Sequence, residues 1–435
     1  MDKRKPPRFK KNPRQVALNI LVEMEKMQSY AGLSLDKHLN QSGLMGPDRR
    51  LAAALVLDVT ENRIKLDYAI DQFLAKEQKD ATVRNILRLG ACQILFYDRV
   101  PDSAAVNECV NLVKMAGIVP LSGFVNGILR TLSREKDKIA WPKPEEGARY
   151  LSIEYSMPLW LVEQLIADYG FEEAKAILAY RPEKHPITLR PNLTRLNDAD
   201  FEKLLGKKVW QWEKGQTEHA YKVSGAIDIS GDRDFTQGMY SIQGESSMRC
   251  AQLLGVKAGM QVLDCCAAPG GKASYLAEVM GGTGRVHAWD VHDHRVDLIR
   301  AQARRLGLEN LRPAVRDATR LKEDLVERMD AVLLDAPCTG LGVMLEKPDV
   351  KYRHQPQDLE SLAAIQKKLL DTCCQYVKKG GVMVYSTCSI LKKENAEQAA
   401  AFLERHPEFE KVEEHQLLSH RDGLDGFYMI KMIRR

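Results

Sequence analysis

Three kinds of apolar spacing succeed one another along this chain. From about residue 13 to 138 apolar residues recur at intervals of three and four, the period of a helix with one buried face. Leu121, Phe124, Val125, Ile128, Leu129 and Leu132 form one such stripe, with Arg130 and Arg134 off it. Ser103 is placed to cap a helix carrying Val106, Val110 and Val113, and Gly117 to end it. Similar stripes run through 16–24, 51–59, 66–74 and 83–96. Faces of this kind bury against one another, so an all-helical bundle is expected.

Trp141-Pro142-Lys143-Pro144-Glu145-Glu146-Gly147 then breaks the helical period, as an interdomain linker does. From Tyr155 to about Leu254 helical stretches (159–169, 171–180, 198–205) mix with strand-like runs (187–189 and 226–229), the pattern of a small α+β module. After Val262 short apolar runs at 261–263, 285–289, 311–315, 331–334 and 382–385 alternate with helical stretches such as 294–306 and 358–377. Alternation of this kind predicts an α/β domain with a doubly wound, mostly parallel sheet. The run 427–433 is expected to add an edge strand. The expected organisation is a tail over 1–14, the bundle over 15–140, linker and small module over 141–250, and the sheet domain over 251–435.

A length of 435 residues leaves room for two or three cores. No apolar run approaches the roughly 18 to 20 residues that cross a bilayer, and no secretory signal opens the chain, so a cytoplasmic protein without a membrane segment is expected. Nine cysteines are scattered without the spacings of a zinc site or a disulfide framework, which predicts reduced thiols and no metal. The formal charge is +5, yet Met1 to Arg14 holds seven basic residues against Asp2, so the tail carries +6 and the remainder −1. The tail reads equally as a solvated start or as an arm that contacts RNA, and any RNA surface elsewhere must come from local patches.

The first strand of the alternating region runs into Asp264-Cys265-Cys266-Ala267-Ala268-Pro269-Gly270-Gly271-Lys272, a glycine turn before a helix. Backbone approaches a ligand closely at such glycines, and the helix start offers free N–H groups. A phosphate loop needs a glycine where Cys266 stands and Ser or Thr where Ala273 stands, and the dinucleotide pattern of three spaced glycines is absent. S-adenosylmethionine remains. Asp290, 26 residues after Asp264, is placed to accept from both ribose hydroxyls, Asp317 to take the adenine amine and Asp335 to face the methionine ammonium. Any one of these aspartates alone would read as a cap or turn residue. Together they mark four successive strand ends.

Two cysteines, Cys338 and Cys388, follow later strands and sit where open sheets bind ligands. Nitrogen methyltransferases often carry Asp-Pro-Pro-Tyr at the fourth strand, whereas this chain has Asp-Ala-Pro-Cys. An amine attacks with its own lone pair. Carbon 5 of a pyrimidine does not, and a thiol added to carbon 6 can make it nucleophilic. Cys92, Cys109, Cys250, Cys265, Cys373 and Cys374 read as inert buried thiols.

Asp335-Ala336-Pro337-Cys338-Thr339-Gly340 and Tyr385-Ser386-Thr387-Cys388-Ser389, with the upstream glycine turn, resemble the S-adenosylmethionine-dependent RNA cytosine-5 methyltransferases. Within them the chain is most similar to the bacterial 16S ribosomal RNA enzymes that carry a NusB-like N-terminal domain, and the resemblance covers nearly its whole length. It implies an RNA-binding bundle like the antitermination factor NusB and a small module of RNA-recognition type. It further implies cofactor contacts at Cys266, Ala267, Ala268, Pro269, Gly270, Gly271, Lys272, Asp290, Asp317 and Asp335, with Cys388 as nucleophile and Cys338 assisting release. Asp335 would also bond the cytosine edge, and Lys347-Pro348-Asp349 and Gly423-Leu424-Asp425-Gly426-Phe427 look like family motifs lining the site. The expected partner is 16S ribosomal RNA, naked or partly assembled, bound by a monomer. Two alternatives stay open: a transfer-RNA cytosine-5 methyltransferase, and a non-catalytic RNA-binding assembly factor.

Overall fold

The computed structural model describes residues 12–27, 31–182, 186–225 and 227–435. Residues 1–11 of the basic tail lie outside the described residues. The chain divides into two compact units, one of residues 1–179 with 346–353, the other of 180–345 with 354–435.

The first unit is helical. Helices Pro13–Met27, Ala31–Ser42, Gly46–Glu61, Arg63–Asp71, Ala81–Phe96, Asp102–Met115 and Ser122–Glu135 surround one core. Val125, Leu129 and Leu132 are fully buried, while Arg130 and Arg134 stay outside, as the spacing predicts; Phe124, expected on the same stripe, is exposed. Ala31–Ser42 has no counterpart in the sequence reading. The expected cap at Ser103 is also corrected, because the cap position falls two residues earlier at Pro101 and Ser103 lies inside the helix. Gly117, with φ of 75°, follows the helix end as expected. Helices Leu159–Tyr169 and Phe171–Ala179 fall among the residues of this unit but outside its main core.

The segment 346–353 completes the helical unit from far along the chain. The Lys351 ammonium, only 4% exposed, donates to the Glu61 carbonyl at 2.7 Å. The Tyr352 hydroxyl pairs with the Ser156 hydroxyl at 2.9 Å, and the Arg63 guanidinium stacks 3.8 Å from the Tyr352 ring.

The second unit holds two sheets. Strands β1 (Ile187–Pro191), β2 (Gln211–Lys214), β3 (Tyr221–Ser224) and β4 (Tyr240–Ile242) form an antiparallel sheet in the order β2-β3-β1-β4. The strand expected over 226–229 is displaced: Tyr221 and Val223 alternate inward on β3, and Gly225, at φ of 112°, breaks the strand. Ile229 is buried in the same core without being part of a strand, and Ala226 lies outside the described residues.

The larger sheet contains β5 (Gln261–Asp264), β6 (Arg285–Asp290), β7 (Leu311–Val315), β8 (Met329–Asp335), β9 (Val377–Thr387), β10 (Phe409–Leu417) and β11 (Phe427–Arg434). Their order is β10-β11-β9-β8-β5-β6-β7, with β5 to β9 parallel and the last two antiparallel. The 427–433 run is therefore not an edge strand; β11 sits between β9 and β10, and β10 takes the edge. A buried ion pair braces the two sheets, as Arg190 on β1 meets Glu278 on the helix Gly271–Val279 and lies 4.3 Å from the Tyr275 ring.

Candidate active site

The chain leaves β5 toward β6 on one side and later returns to place β8 on the other. Ligands of open α/β sheets settle in the crevice where the winding reverses, beyond the strands' carboxyl ends. Here those ends carry Asp264 on β5, Asp290 on β6, Asp335 on β8 and, one residue past β9, Cys388.

The loop after β5 is sewn to both neighbours. The Cys265 N–H donates to the Leu333 carbonyl on β8 at 2.9 Å, and the Ala267 N–H to the Trp289 carbonyl on β6 at 2.7 Å. Gly270 adopts φ of 109°, a conformation that side chains disfavour, and caps the helix Gly271–Val279. Ala268 and Asp290 share Arg295, which donates to the Ala268 carbonyl at 3.1 Å and pairs with Asp290 Oδ2 at 3.3 Å. The loop Cys266 to Lys272 and Asp290 are thus brought together. Burial pushes the Cys266 thiol well above its ordinary pKa.

Asp317 lies half-buried in a turn, two residues past Val315, the register partner of Asp290, with the Arg316 N–H donating to the Asp290 carbonyl at 2.9 Å. It accepts from the Thr319 N–H at 3.0 Å and the Thr319 hydroxyl at 2.7 Å, bonds that hold its carboxyl below its usual range.

Asp264 is 1% exposed and neither carboxylate oxygen has a hydrogen-bond partner. Burial, and next the Asp335 carboxylate, push its carboxyl up to about 7. A buried carboxyl without partners suits a cationic ligand. Asp335 itself is engaged on both oxygens, by the Ser386 hydroxyl at 2.8 Å and the Lys272 ammonium at 2.7 Å. Burial pulls Lys272 down, but the Asp335 charge and shared hydrogen bond outweigh it and hold the ammonium above its ordinary pKa. The partnerless Asp264, the positive-φ glycine at a helix start and Asp290 next door fit S-adenosylmethionine, whose methionine end is cationic and whose ribose offers two donors.

Beyond Asp335 lies the thiol pair. Asp335 and Ser386 are register partners on β8 and β9, so the loops that follow each strand rise side by side. Cys338 Sγ and Cys388 Sγ are 3.4 Å apart, either able to donate. The bond to Cys388 and burial push the Cys338 thiol well above its ordinary pKa. The two loops are also clasped through backbone: the Gly342 N–H donates to the Cys388 carbonyl and the Gly426 N–H to the Gly342 carbonyl, both at 2.9 Å. Gly423-Leu424-Asp425-Gly426-Phe427 therefore touches the Cys338 loop, whereas Lys347-Pro348-Asp349 packs in the helical unit.

Sequence reasoning missed Glu394 and Asn395, which lie fully buried behind the cysteine loops. A signal was present, since a Glu-Asn pair follows the apolar Ile390-Leu391 just before the helix Ala396–Arg405. It reads as a solvated helix start. Among the described residues no cluster of His, Cys, Asp or Glu could hold a metal ion, and no helix is long and apolar enough to cross a membrane.

The sequence profile of 16S rRNA methyltransferase RsmB/F matches residues 251–433, that of the NusB family residues 11–134, and that of the Methyltr_RsmF/B-like ferredoxin-like domain residues 157–230. The probable ribosomal RNA small subunit methyltransferase B of Bacillus subtilis is 37% identical over 98% of this chain and 99% of its own. Ribosomal RNA small subunit methyltransferase B of Serratia proteamaculans is 30% identical over 91% of this chain and 92% of its own. The crystal structure of PH0851 superposes over 100% of both chains with a TM-score of 0.84 at 23% identity, which shows a shared fold.

Proposed function

We infer the reaction from kinship and geometry together: the chain belongs to the RsmB/F family of 16S ribosomal RNA methyltransferases. It is an S-adenosylmethionine-dependent enzyme that methylates cytosine at carbon 5 in 16S ribosomal RNA, and a covalent cysteine route is general to its family. We place it in the cytoplasm, acting as a monomer.

The residue roles are assigned as follows from the chemistry. Carbon 5 of cytosine is a weak nucleophile, so the base must first be attacked at carbon 6. We assign that attack to Cys388 as the thiolate, its proton having left to solvent, while Cys338, whose sulfur lies 3.4 Å away, stays a thiol. Asp335, oriented by Lys272 and Ser386, is assigned to bond the cytosine edge, which raises the electrophilicity of carbon 6 when the ring nitrogen is protonated. S-adenosylmethionine supplies an electrophilic methyl group when bound. Asp264, Asp290, Asp317 and the loop Cys266 to Lys272 are assigned to hold it. After transfer, carbon 5 gives its proton to water, the carbon–sulfur bond breaks and Cys388 leaves as the thiolate, a step we give Cys338 to assist as hydrogen-bond donor to the departing sulfur. The RNA surface is assigned to the helical unit together with the antiparallel module.

The observation that carries this reading is the pair of sulfurs in contact at the ends of adjacent parallel strands, beside Asp335. The test is incubation with 16S ribosomal RNA and methyl-labelled S-adenosylmethionine, followed by mass analysis of nucleosides. Labelled 5-methylcytosine is expected from the native protein and none from Cys388→Ala. Undiminished product from that variant would overturn the nucleophile assignment.

A further inference from the structure

Behind the two thiols, one carboxylate touches both cysteine loops at once. Glu394 is 0% exposed. Its Oε1 accepts from the Thr339 N–H at 2.8 Å and from the Gln366 amide at 3.1 Å, and its Oε2 from the Thr339 hydroxyl at 2.6 Å and from the Ser389 hydroxyl. Thr339 follows Cys338 and Ser389 follows Cys388. The same two hydroxyls lie 3.0 Å from each other, and Gln366 also donates to the Pro337 carbonyl, just before Cys338, at 2.9 Å. The residue's own carbonyl is fixed by the Tyr385 hydroxyl at 2.5 Å.

We propose that Glu394 is the positioning residue that sets the spacing and orientation of the Cys338 and Cys388 sulfurs, by holding the residue that follows each of them. The inference rests on the assignment of those two cysteines to the reaction.

A buried carboxylate is costly, and packing alone is served better by an apolar side chain of similar volume. What the carboxylate adds is two acceptor oxygens in a fixed fork, both bonded to Thr339 of the Cys338 loop and Oε2 also to Ser389 of the Cys388 loop. Asn395 offers a contrast, since it accepts from Thr387 at 2.5 Å and donates to the Ser389 carbonyl at 3.0 Å, gripping the two sides of Cys388, and donates also to Gln416 at 2.8 Å. Glu394 alone of the pair spans both loops. Its charge also adds to the causes that raise the Cys338 thiol, after the Cys388 bond and burial. A brace of this kind keeps Cys338 protonated and in contact while Cys388 turns over.

Phenylarsine oxide reads the geometry directly, because it bridges two adjacent thiols through two sulfur–arsenic bonds and releases its oxygen with their protons as water. The native protein is expected to bind it tightly, and Cys338→Ser to lose that binding. Glu394→Gln keeps the volume but turns one acceptor into a donor. Its arsenical affinity is expected to fall by at least about tenfold and methyl transfer by on the order of 100-fold, while S-adenosylmethionine affinity stays within about twofold. Ser389→Ala and Thr339→Val, which each cut one arm, are expected to shift arsenical binding in the same direction, and they carry the test if Glu394→Gln does not fold. Native arsenical binding in folded Glu394→Gln, or in both single-arm variants, would overturn the brace. Weakened arsenical binding in an enzyme whose methyl transfer survives Cys388→Ala would leave the brace standing and refute the cysteine assignment instead.

Discussion

At the scale of single residues, the site trades stability for a place to bind. Asp264 is buried without a partner and its carboxyl is raised to about 7. An acid whose folded pKa lies above its unfolded one contributes most below the unfolded value and loses that contribution as pH rises through the folded one. The ligand-free protein should therefore lose stability between about pH 4 and pH 7 on account of this group. Asp264→Asn is expected to raise the melting temperature at pH 8, with the gain shrinking by pH 5, and to weaken S-adenosylmethionine binding. Thermal scans at both pH values and calorimetry check it; an equal gain at both would detach the effect from ionisation. The thiols give a second residue-scale expectation. Cys338→Ala should accumulate an RNA–protein adduct that survives denaturation, because expulsion of the Cys388 sulfur is slowed, and the double variant with Cys388→Ala should accumulate none. A denaturing gel with labelled RNA decides, and an adduct trapped by Cys388→Ala instead would reverse the two roles.

Among the elements, the closest approach is glycine against glycine. A Cβ on Gly342 would lie 1.8 Å from the Gly426 carbonyl oxygen and 2.8 Å from that of Cys388. Backbone cannot yield as a side-chain tip does, so Gly342→Ala must push the Cys338 loop away from its neighbours. It is expected to destabilise the protein by roughly 1–3 kcal/mol and to slow methyl transfer more than it weakens cofactor binding. Unchanged melting and turnover would mean that the clasp is loose. The elements also show what the sequence could disclose. Strands β5, β6, β8 and β9 were legible because buried parallel strands carry apolar runs, and their ends located Asp264, Asp290, Asp335 and Cys388. β10 was not, because its residues from Glu410 to Gln416 are mostly charged and solvated along the sheet edge, and without it β11 passed for the edge. Ile227 and Ile229 misled in the opposite sense, being apolar core residues in a turn. Glu394 was hidden because no local pattern tells a buried carboxylate from a solvated one. Its donors are 55, 28 and 5 residues away in sequence.

On the scale of the whole molecule, the return of residues 346–353 to the helical unit matters most. Lys351 and Tyr352 make contacts with Glu61, Arg63 and Ser156. A protease site engineered after Arg181 should therefore yield fragments that stay together in native gel filtration and part only in denaturant. Lys351→Ala with Tyr352→Phe should let them separate more readily; separation of the unmutated fragments would show that the returning segment contributes little cohesion. The same arrangement sets an order of events during synthesis. The helical unit's first 179 residues leave the ribosome early, yet its last piece ends at residue 353, 174 residues later. At about 5–20 residues per second that is a wait of roughly 9–35 s. The unit made first is thus finished late, by a strand of chain that arrives together with the Cys338 loop.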